Sequence, residues 1–362
     1  MTSPDNSPAL SQRRQQEELP AELSSLLLPW FERHRRELPW REDKNPYHVW
    51  VSEIMLQQTR IETVKGYYRR FLERLPEVGA LSEVPEEELL KLWEGLGYYS
   101  RAKNLQKAAR LIVEQGGFPQ TFEGWKQLPG VGEYTAGAVA SLCFGERVPA
   151  VDGNVLRIAA RLTGSRKNVL LPDVKRQFTA RLKEILPDEA GAFNEAMMEL
   201  GETVCLPGVP LCGDCPLRRV CTAFREGCPQ ELPVREKQQT RRREEKTVLL
   251  LQAGQRFAIE KRPEKGLLSG LYGFPCLEGT LTPNEAAVYL DGQGAPVLSV
   301  APAGHRKHLF THVQWEMEGV HAVLAEEWGA FVWAQPEEIE ALYPLPTAFR
   351  GFQRLLKGFT GP

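Results

Sequence analysis

The sequence has no run approaching the ~18–20 consecutive apolar residues that a membrane span requires. Its first residues, MTSPDNSPALSQRRQQEE, hold no apolar stretch of the kind a secretory signal needs, so neither export nor membrane insertion is expected. It also lacks a surplus of either charge. Lys and Arg number 45 against 47 Asp and Glu, a formal net charge of −2, so there is no bulk attraction to nucleic acid and such a partner must be met by local features. No internal repeat of solenoid length is present. Seven cysteines cannot pair completely within one chain, and four of them, Cys205, Cys212, Cys215 and Cys221, fall close together. That crowding, without a signal segment, points to a reducing, cytoplasmic setting and a metal site rather than a disulfide framework.

What is present is enough for about two domains: 362 residues, 42% of them apolar. Residues 1–20 are polar and charged and are expected to stay loose. Residues 21–228 read as successive amphipathic helices, EELLKLWEGL, RAKNLQKAARLIVEQ, EYTAGAVASLCF and VKRQFTARLKEIL among them, broken by Gly and Pro. The charged, proline-containing stretch 229–246 reads as a linker. From 247 to 362 short β-prone runs such as TVLLLQAG, RFAIEKR and GVHAVLA alternate with turns and short helices, which predicts an α+β domain.

Four features of the helical region bear chemistry. Leu128-Pro129-Gly130-Val131-Gly132 joins a short helix near 121–127 to a longer one starting near Tyr134. Its glycines permit a tight turn that leaves backbone N–H groups free for a phosphate at a helix N-terminus, or it simply connects two packed helices. Twenty residues after Gly132, Asp152 precedes the helix VLRIAARLTG, where an ordinary N-cap is the simplest reading. Glu53 lies in HVWVSEIMLQQT with Val49, Trp50 and Leu56 on its own helix face. Burial there raises a carboxyl pKa toward what a general acid needs; the alternative is a glutamate paired with Arg36 or Arg41. The cysteines, spaced C-x6-C-x2-C-x5-C, suit tetrahedral zinc or a [4Fe–4S] cluster, and spacing does not choose between them. Arg218 and Arg219 fall within the last interval, and Cys228 is left as an unliganded spare.

Taken together, LPWR at 38–41, VWVSEIMLQQTRIETV at 49–64, GLGYYSRAKNL at 95–105, LPGVGEYTAGAVAS at 128–141, VDGNV at 151–155 and the cysteine spacing resemble the MutY-type adenine DNA glycosylases. The resemblance covers about residues 24–355. It implies a multidomain fold: an all-α helix–hairpin–helix glycosylase region with a [4Fe–4S] loop on Cys205, Cys212, Cys215 and Cys221, then an α+β NUDIX-like domain. It implies double-stranded DNA as substrate, with adenine opposite 8-oxoguanine or guanine, acted on by a monomer. Glu53 is similar to the acid that protonates adenine N7 and Asp152 to the carboxylate facing the sugar C1′. Tyr134 and Asn154 resemble the residues that support this pair. Arg41 and Glu195 resemble adenine-pocket residues, Gln58 and Tyr98 side chains inserted into the base stack, and Gly130, Val131 and Gly132 the phosphate-binding hairpin.

In the second domain Phe310-Thr311-His312 stands where the family usually has Phe-Ser-His, a loop that recognises 8-oxoguanine, and Leu271-Tyr272-Gly273-Phe274-Pro275 departs from the usual Leu-Trp-Glu-Phe-Pro. The glutamate-rich box of NUDIX hydrolases is missing from the sequence, so pyrophosphatase activity is not expected. Tyr134 occupies the place where endonuclease III-type enzymes carry a nucleophilic lysine. A phenol cannot form a Schiff base, which implies a simple glycosylase. Two other readings remain at this stage: an endonuclease III-like lyase, and a non-catalytic metal-containing DNA-binding protein.

Overall fold

The computed structural model describes residues 18–236, 241–264 and 266–359. Most of the segment expected to be loose, residues 1–17, lies outside these, but Leu19 at its end is buried in the helical core. Among the described residues no helix is long and apolar enough to cross a membrane. The chain divides into two compact units, Met1–Ser82 with Asn104–Lys237 and Glu83–Lys103 with Gln238–Pro362.

The helices run α1 (Leu23–His34), α2 (Pro46–Leu56), α3 (Ile61–Arg74), α4 (Val78–Glu83), α5 (Glu86–Leu92), α6 (Ser100–Glu114), α7 (Phe122–Lys126), α8 (Glu133–Phe144), α9 (Gly153–Thr163), α10 (Pro172–Ile185), α11 (Ala190–Thr203) and α12 (Thr222–Arg225). Helix α2 begins where Asn45 accepts the Tyr47 N–H at 2.9 Å and Pro46 fills the first turn. Helix α9 is capped by Asp152 and ends on Gly164 in the left-handed region, φ 69°. Its residues from Val155 to Thr163 are all buried, packing with Trp30 and Phe31 of α1, Phe178 of α10 and Phe193 and Leu200 of α11. It is the helix around which the first unit's core is built.

Burial of α9 includes Arg161, 2% exposed. Its guanidinium donates to the carbonyls of Leu232 (3.0 Å), Leu206 (2.8 Å) and Gly208 (3.2 Å) and to Cys205 Sγ (3.3 Å). One side chain thus ties the cysteine loop and the chain after it to the central helix. This corrects the expected linker, 229–246, at its start: Leu232 is buried, and Val169 N–H donates to Val234 O at 3.1 Å. Composition hid this because backbone carbonyls, present whatever the side chains, supply most of the anchoring.

Close approach also sets where Asp152 stands. A methyl on Gly137 of α8 would meet Pro149 O at 2.5 Å, backbone that cannot step aside, so this glycine lets the hairpin's second helix lie against the chain leading to Asp152.

In the second unit the strands are β1 (Arg242–Ala253), β2 (Arg256–Lys261), β3 (Tyr272–Gly273), β4 (Cys276–Glu278), β5 (Val297–Leu309), β6 (Val313–Leu324) and β7 (Val332–Ala334), with helices α13 (Pro283–Gly292), α14 (Pro336–Leu342) and α15 (Arg350–Phe359). The sheet order is β3-β2-β1-β6-β5, with β4 on β1 and β7 on β2. Strand β1 pairs parallel with β6 and antiparallel with β2. Val248 and Leu250 face a layer holding Phe349 and Phe352, and Leu249 and Leu251 face one holding Ala286 and Leu290. A strand buried on both faces reads as the continuous apolar run VLLL. β1 begins at Arg242, inside the expected linker, because its charged first residues are held by the ladder to β6 (Arg242↔Val313 onward) rather than by burial.

The segment Glu83–Lys103, expected within the helical region, groups instead with the sheet. Lys91 Nζ donates to Glu340 O (2.5 Å) and Tyr343 O (3.2 Å), Lys261 pairs with Glu87 (2.7 Å), and Tyr272 donates its hydroxyl to Glu87 (3.2 Å). In sequence these charges read as a solvated helix face, because their partners lie more than a hundred residues away.

Candidate active site

Within the helical unit a cleft of about 570 Å³ is lined by Arg41, Glu53, Tyr134, Asp152, Asn154 and Glu195, with Gln58 also on its wall. Three helices supply the centre: α2 carries Glu53, α8 carries Tyr134, and the start of α9 carries Asp152 and Asn154. Side chains about a hundred residues apart in sequence so meet in one place.

The two carboxylates have different surroundings. Glu53 is buried, and its Oε2 has no hydrogen-bond partner. Burial pushes its carboxyl up to about 7; Asp152 and Glu195 act in the same direction, while the Tyr134 hydroxyl and Arg41 pull against it. Asp152 is raised by burial too, but its Oδ1 accepts the N–H groups of Asn154 (2.9 Å) and Val155 (2.8 Å), which with Arg157 oppose the rise. Asp152 is therefore both the helix cap of the simplest reading and a wall of the cleft. Burial thus favours the protonated form of Glu53, whereas the N–H groups at the start of α9 favour the ionised form of Asp152.

Neither arginine considered as a partner for Glu53 pairs with it. Arg41 Nε meets Glu195 Oε1 at 3.0 Å and its Nη1 meets Glu199 Oε2 at 2.9 Å; Arg36 Nε meets Glu199 Oε1 at 2.6 Å and its Nη2 meets Glu202 at 2.9 Å. Glu199 was missed from sequence, although Glu195 and Glu199 are four apart in FNEAMMEL and so share a helix face. Met198, also missed, accepts the Tyr134 hydroxyl at 2.9 Å. Burial holds the Tyr134 hydroxyl well above its ordinary range, leaving it a proton donor. Asn154 Oδ1 accepts from Arg157 at 2.9 Å.

Gly130 takes φ 76° and Gly132 caps α8, as the hairpin requires; the Val131 side chain is buried, leaving only its backbone for a partner. The four clustered cysteines line one small cavity with Val204, Pro210, Phe224, Pro229, Arg161 and Arg218, and Cys228 is not among them. All are free thiols, and among the described residues no group of three or more His, Cys, Asp or Glu side chains closes on the point a single metal ion would fill. Arg218 and Arg219 are exposed.

The second unit has its own cavity, about 630 Å³, lined by Tyr98, Phe310, Thr311 and His312 with Lys103 and His308. Tyr98 and Thr311 hydroxyls lie 3.1 Å apart, and Phe310 packs edge-on against His308 and Trp315. Of the described non-glycine residues only Gln58 (φ 59°), Tyr98 (φ 48°) and Leu268 (φ 62°) adopt positive φ. Two of these three strained positions are the residues singled out as base-stack wedges, and such strain persists where the surrounding structure enforces it.

Residues 51–188 match the HhH-GPD superfamily of base excision DNA repair proteins and residues 247–354 the NUDIX domain. An adenine DNA glycosylase of Mus musculus is 33% identical over 353 residues, covering 80% of this chain and 68% of its own; one of Buchnera aphidicola is 36% identical over 256 residues, covering 70% and 74%. The chain belongs to the adenine DNA glycosylase family. It spans 55% of the length of a 34% identical family member from Arabidopsis thaliana. Among solved structures, a thermostable thymine-DNA glycosylase is similar with a TM-score of 0.52 at 27% identity, covering 60% of this chain and 99% of its own. The stretch matching the glycosylase superfamily contains Glu53, Tyr134, Asp152 and Asn154; the NUDIX match contains Phe310, Thr311 and His312.

A carboxyl raised from 4.5 to about 7 weakens the fold as it ionises. Unfolded, Glu53 loses its proton near 4.5; folded, it holds it until about 7, so wild-type stability falls as pH rises through that window. Glu53→Gln, neutral throughout, is expected to match the wild type near pH 4.5 and to exceed it above pH 7 by up to roughly 3 kcal/mol. Urea unfolding of both proteins across this range checks it, and parallel curves would contradict the buried, unpaired carboxyl.

Proposed function

We propose that the protein is a monofunctional glycosylase that removes adenine mispaired with 8-oxoguanine or guanine in double-stranded DNA. The observation that carries this reading is a pair of carboxyls in one cleft, one desolvated and one capped by backbone N–H groups, in a member of this family.

The nucleotide leaves the duplex, because adenine N7 and C1′ are inaccessible within the stack, and Gln58 and Tyr98 occupy the gap. Glu53 gives its proton to N7. The C1′–N9 bond breaks with its electron pair leaving on adenine, and the sugar's positive character is met by the ionised Asp152. Water then adds to C1′, and the proton it loses restores the Glu53 acid. Tyr134 and Asn154 hold the two carboxyls in place, and Arg41 with Glu195 borders the base. The Gly130–Gly132 backbone holds a phosphate, and Phe310, Thr311 and His312 read the base opposite adenine. No lysine amine stands at position 134, so the strand is left intact.

Cys205, Cys212, Cys215 and Cys221 are assigned to a [4Fe–4S] cluster. Four soft donors around an apolar-walled cavity with two guanidiniums suit an anionic cluster better than one zinc drawing all four sulfurs to ~2.3 Å. Bound there, the cluster would brace the loop that presents Arg218 and Arg219 to phosphates.

Free adenine released from an A:8-oxoguanine duplex, with the strand uncut, is the expected result for the wild type. Asp152→Asn should retain duplex binding in gel-shift titrations yet lose at least ~100-fold in release rate, since the charge facing the sugar is gone; wild-type release from this variant would remove Asp152 from the chemistry. Metal analysis of the purified protein should find iron and a yellow-brown colour, whereas stoichiometric zinc in colourless, active protein would defeat the cluster assignment.

A further inference from the structure

Along the wall of the cleft runs a chain of charges of which the mechanism above uses only Arg41 and Glu195. Glu199 on α11 has a side chain with 0% exposure, yet two arginines converge on it. Arg36 donates through its backbone N–H (3.2 Å), Nε (2.6 Å) and Nη2 (3.1 Å), and Arg41 through Nη1 (2.9 Å). Burial acts to raise Glu199, but these contacts hold it below the usual carboxylate range, so it is charged at working pH. Arg41 Nη1 also donates to Arg36 O at 3.2 Å, and its Nε is left for Glu195 at 3.0 Å. The guanidinium whose charge bears on Glu53 is therefore held by two carboxylates of α11.

We propose that Glu199 is a positioning residue for base excision, clamping Arg41 between itself and Glu195 and so setting how much guanidinium charge reaches Glu53. This rests on the adenine glycosylase reading. The charged and titratable groups facing Glu53 are Tyr134 and Cys143 on α8, Asp152 before α9, Glu195 on α11 and Arg41 in the turn Pro39–Arg41. Facing Glu199 are Arg36, Arg41 and, on its own helix, Glu195. Glu202, 35% exposed, shares only Arg36. Of the groups facing Glu53, only Arg41 favours its ionised form through charge. Glu199 offsets that charge, and Arg36 competes for Glu199.

The two neighbours consequently have opposite effects on the pH at which excision fails. In single-turnover adenine release from an A:8-oxoguanine duplex, the rate should fall above the point where Glu53 loses its proton. Glu199→Gln uncovers Arg41 and is expected to move that alkaline limb down by roughly 0.5–1 pH unit, a threefold to tenfold loss at fixed alkaline pH. Glu199→Asp keeps the charge and should keep the limb near its wild-type position, though a shorter reach slows the reaction. Arg36→Gln, at a half-exposed position, should move the limb upward, and it gives a reading that does not depend on whether Glu199→Gln folds. A purely structural clamp would lower the rate equally at every pH, so unmoved limbs in a wild type and variants that excise adenine would overturn the role of Glu199. A wild type that releases no adenine would overturn the function itself, and this proposal with it.

Discussion

Everything at the cleft depends on keeping one carboxyl out of water without giving it an ion-pair partner. Glu53 is surrounded by its own helix's apolar residues and by α8, and its Oε2 is unmet. Between its ordinary range and about 7 lies a cost of roughly 3 kcal/mol at neutral pH, a sizeable part of what holds a typical domain folded. The central core around α9 has to outweigh that cost, and α9 also delivers Asp152. The helix that stabilises the unit and the helix that holds the opposing charge are the same.

That economy explains why the bland reading holds for one carboxyl alongside its functional one and fails for the other. Asp152 is an N-cap by every geometric measure, with two backbone N–H groups on Oδ1. The cap favours its charged form against the burial that opposes it, beside an acid that does not ionise easily. Glu53 avoids the ion pair that would have made it structural, because Arg36 and Arg41 are both taken up by the carboxylates of α11. The acid is unpaired because its neighbours are paired with one another.

Much of this was legible in the sequence where local rules operate. The helix EYTAGAVASLCF begins and ends where the structure has it, since the glycine before it and the glycine after it mark both ends. Glu53, Tyr134, Asp152 and Asn154 were named from motifs and do share one cleft. What could not be read was pairing across distance. Glu199 looked like one more surface charge because its arginines lie some 160 residues away. Glu83–Lys103 looked like part of the helical unit because Glu87 and Lys91 gain their partners only when the sheet forms. The linker was drawn too long at both ends, since neither a buried Leu232 nor a strand starting on five charged residues alters average composition.

The central claim is that the fold itself holds a proton on Glu53 at neutral pH, before any DNA is bound. Infrared difference spectroscopy of the free protein across pH, wild type minus Glu53→Gln, isolates the carbonyl stretch of that one protonated carboxyl. The account predicts a band that titrates away with a midpoint near 7. A midpoint in the ordinary glutamate range of about 4.3 would contradict it, and the proton would then have to come from elsewhere.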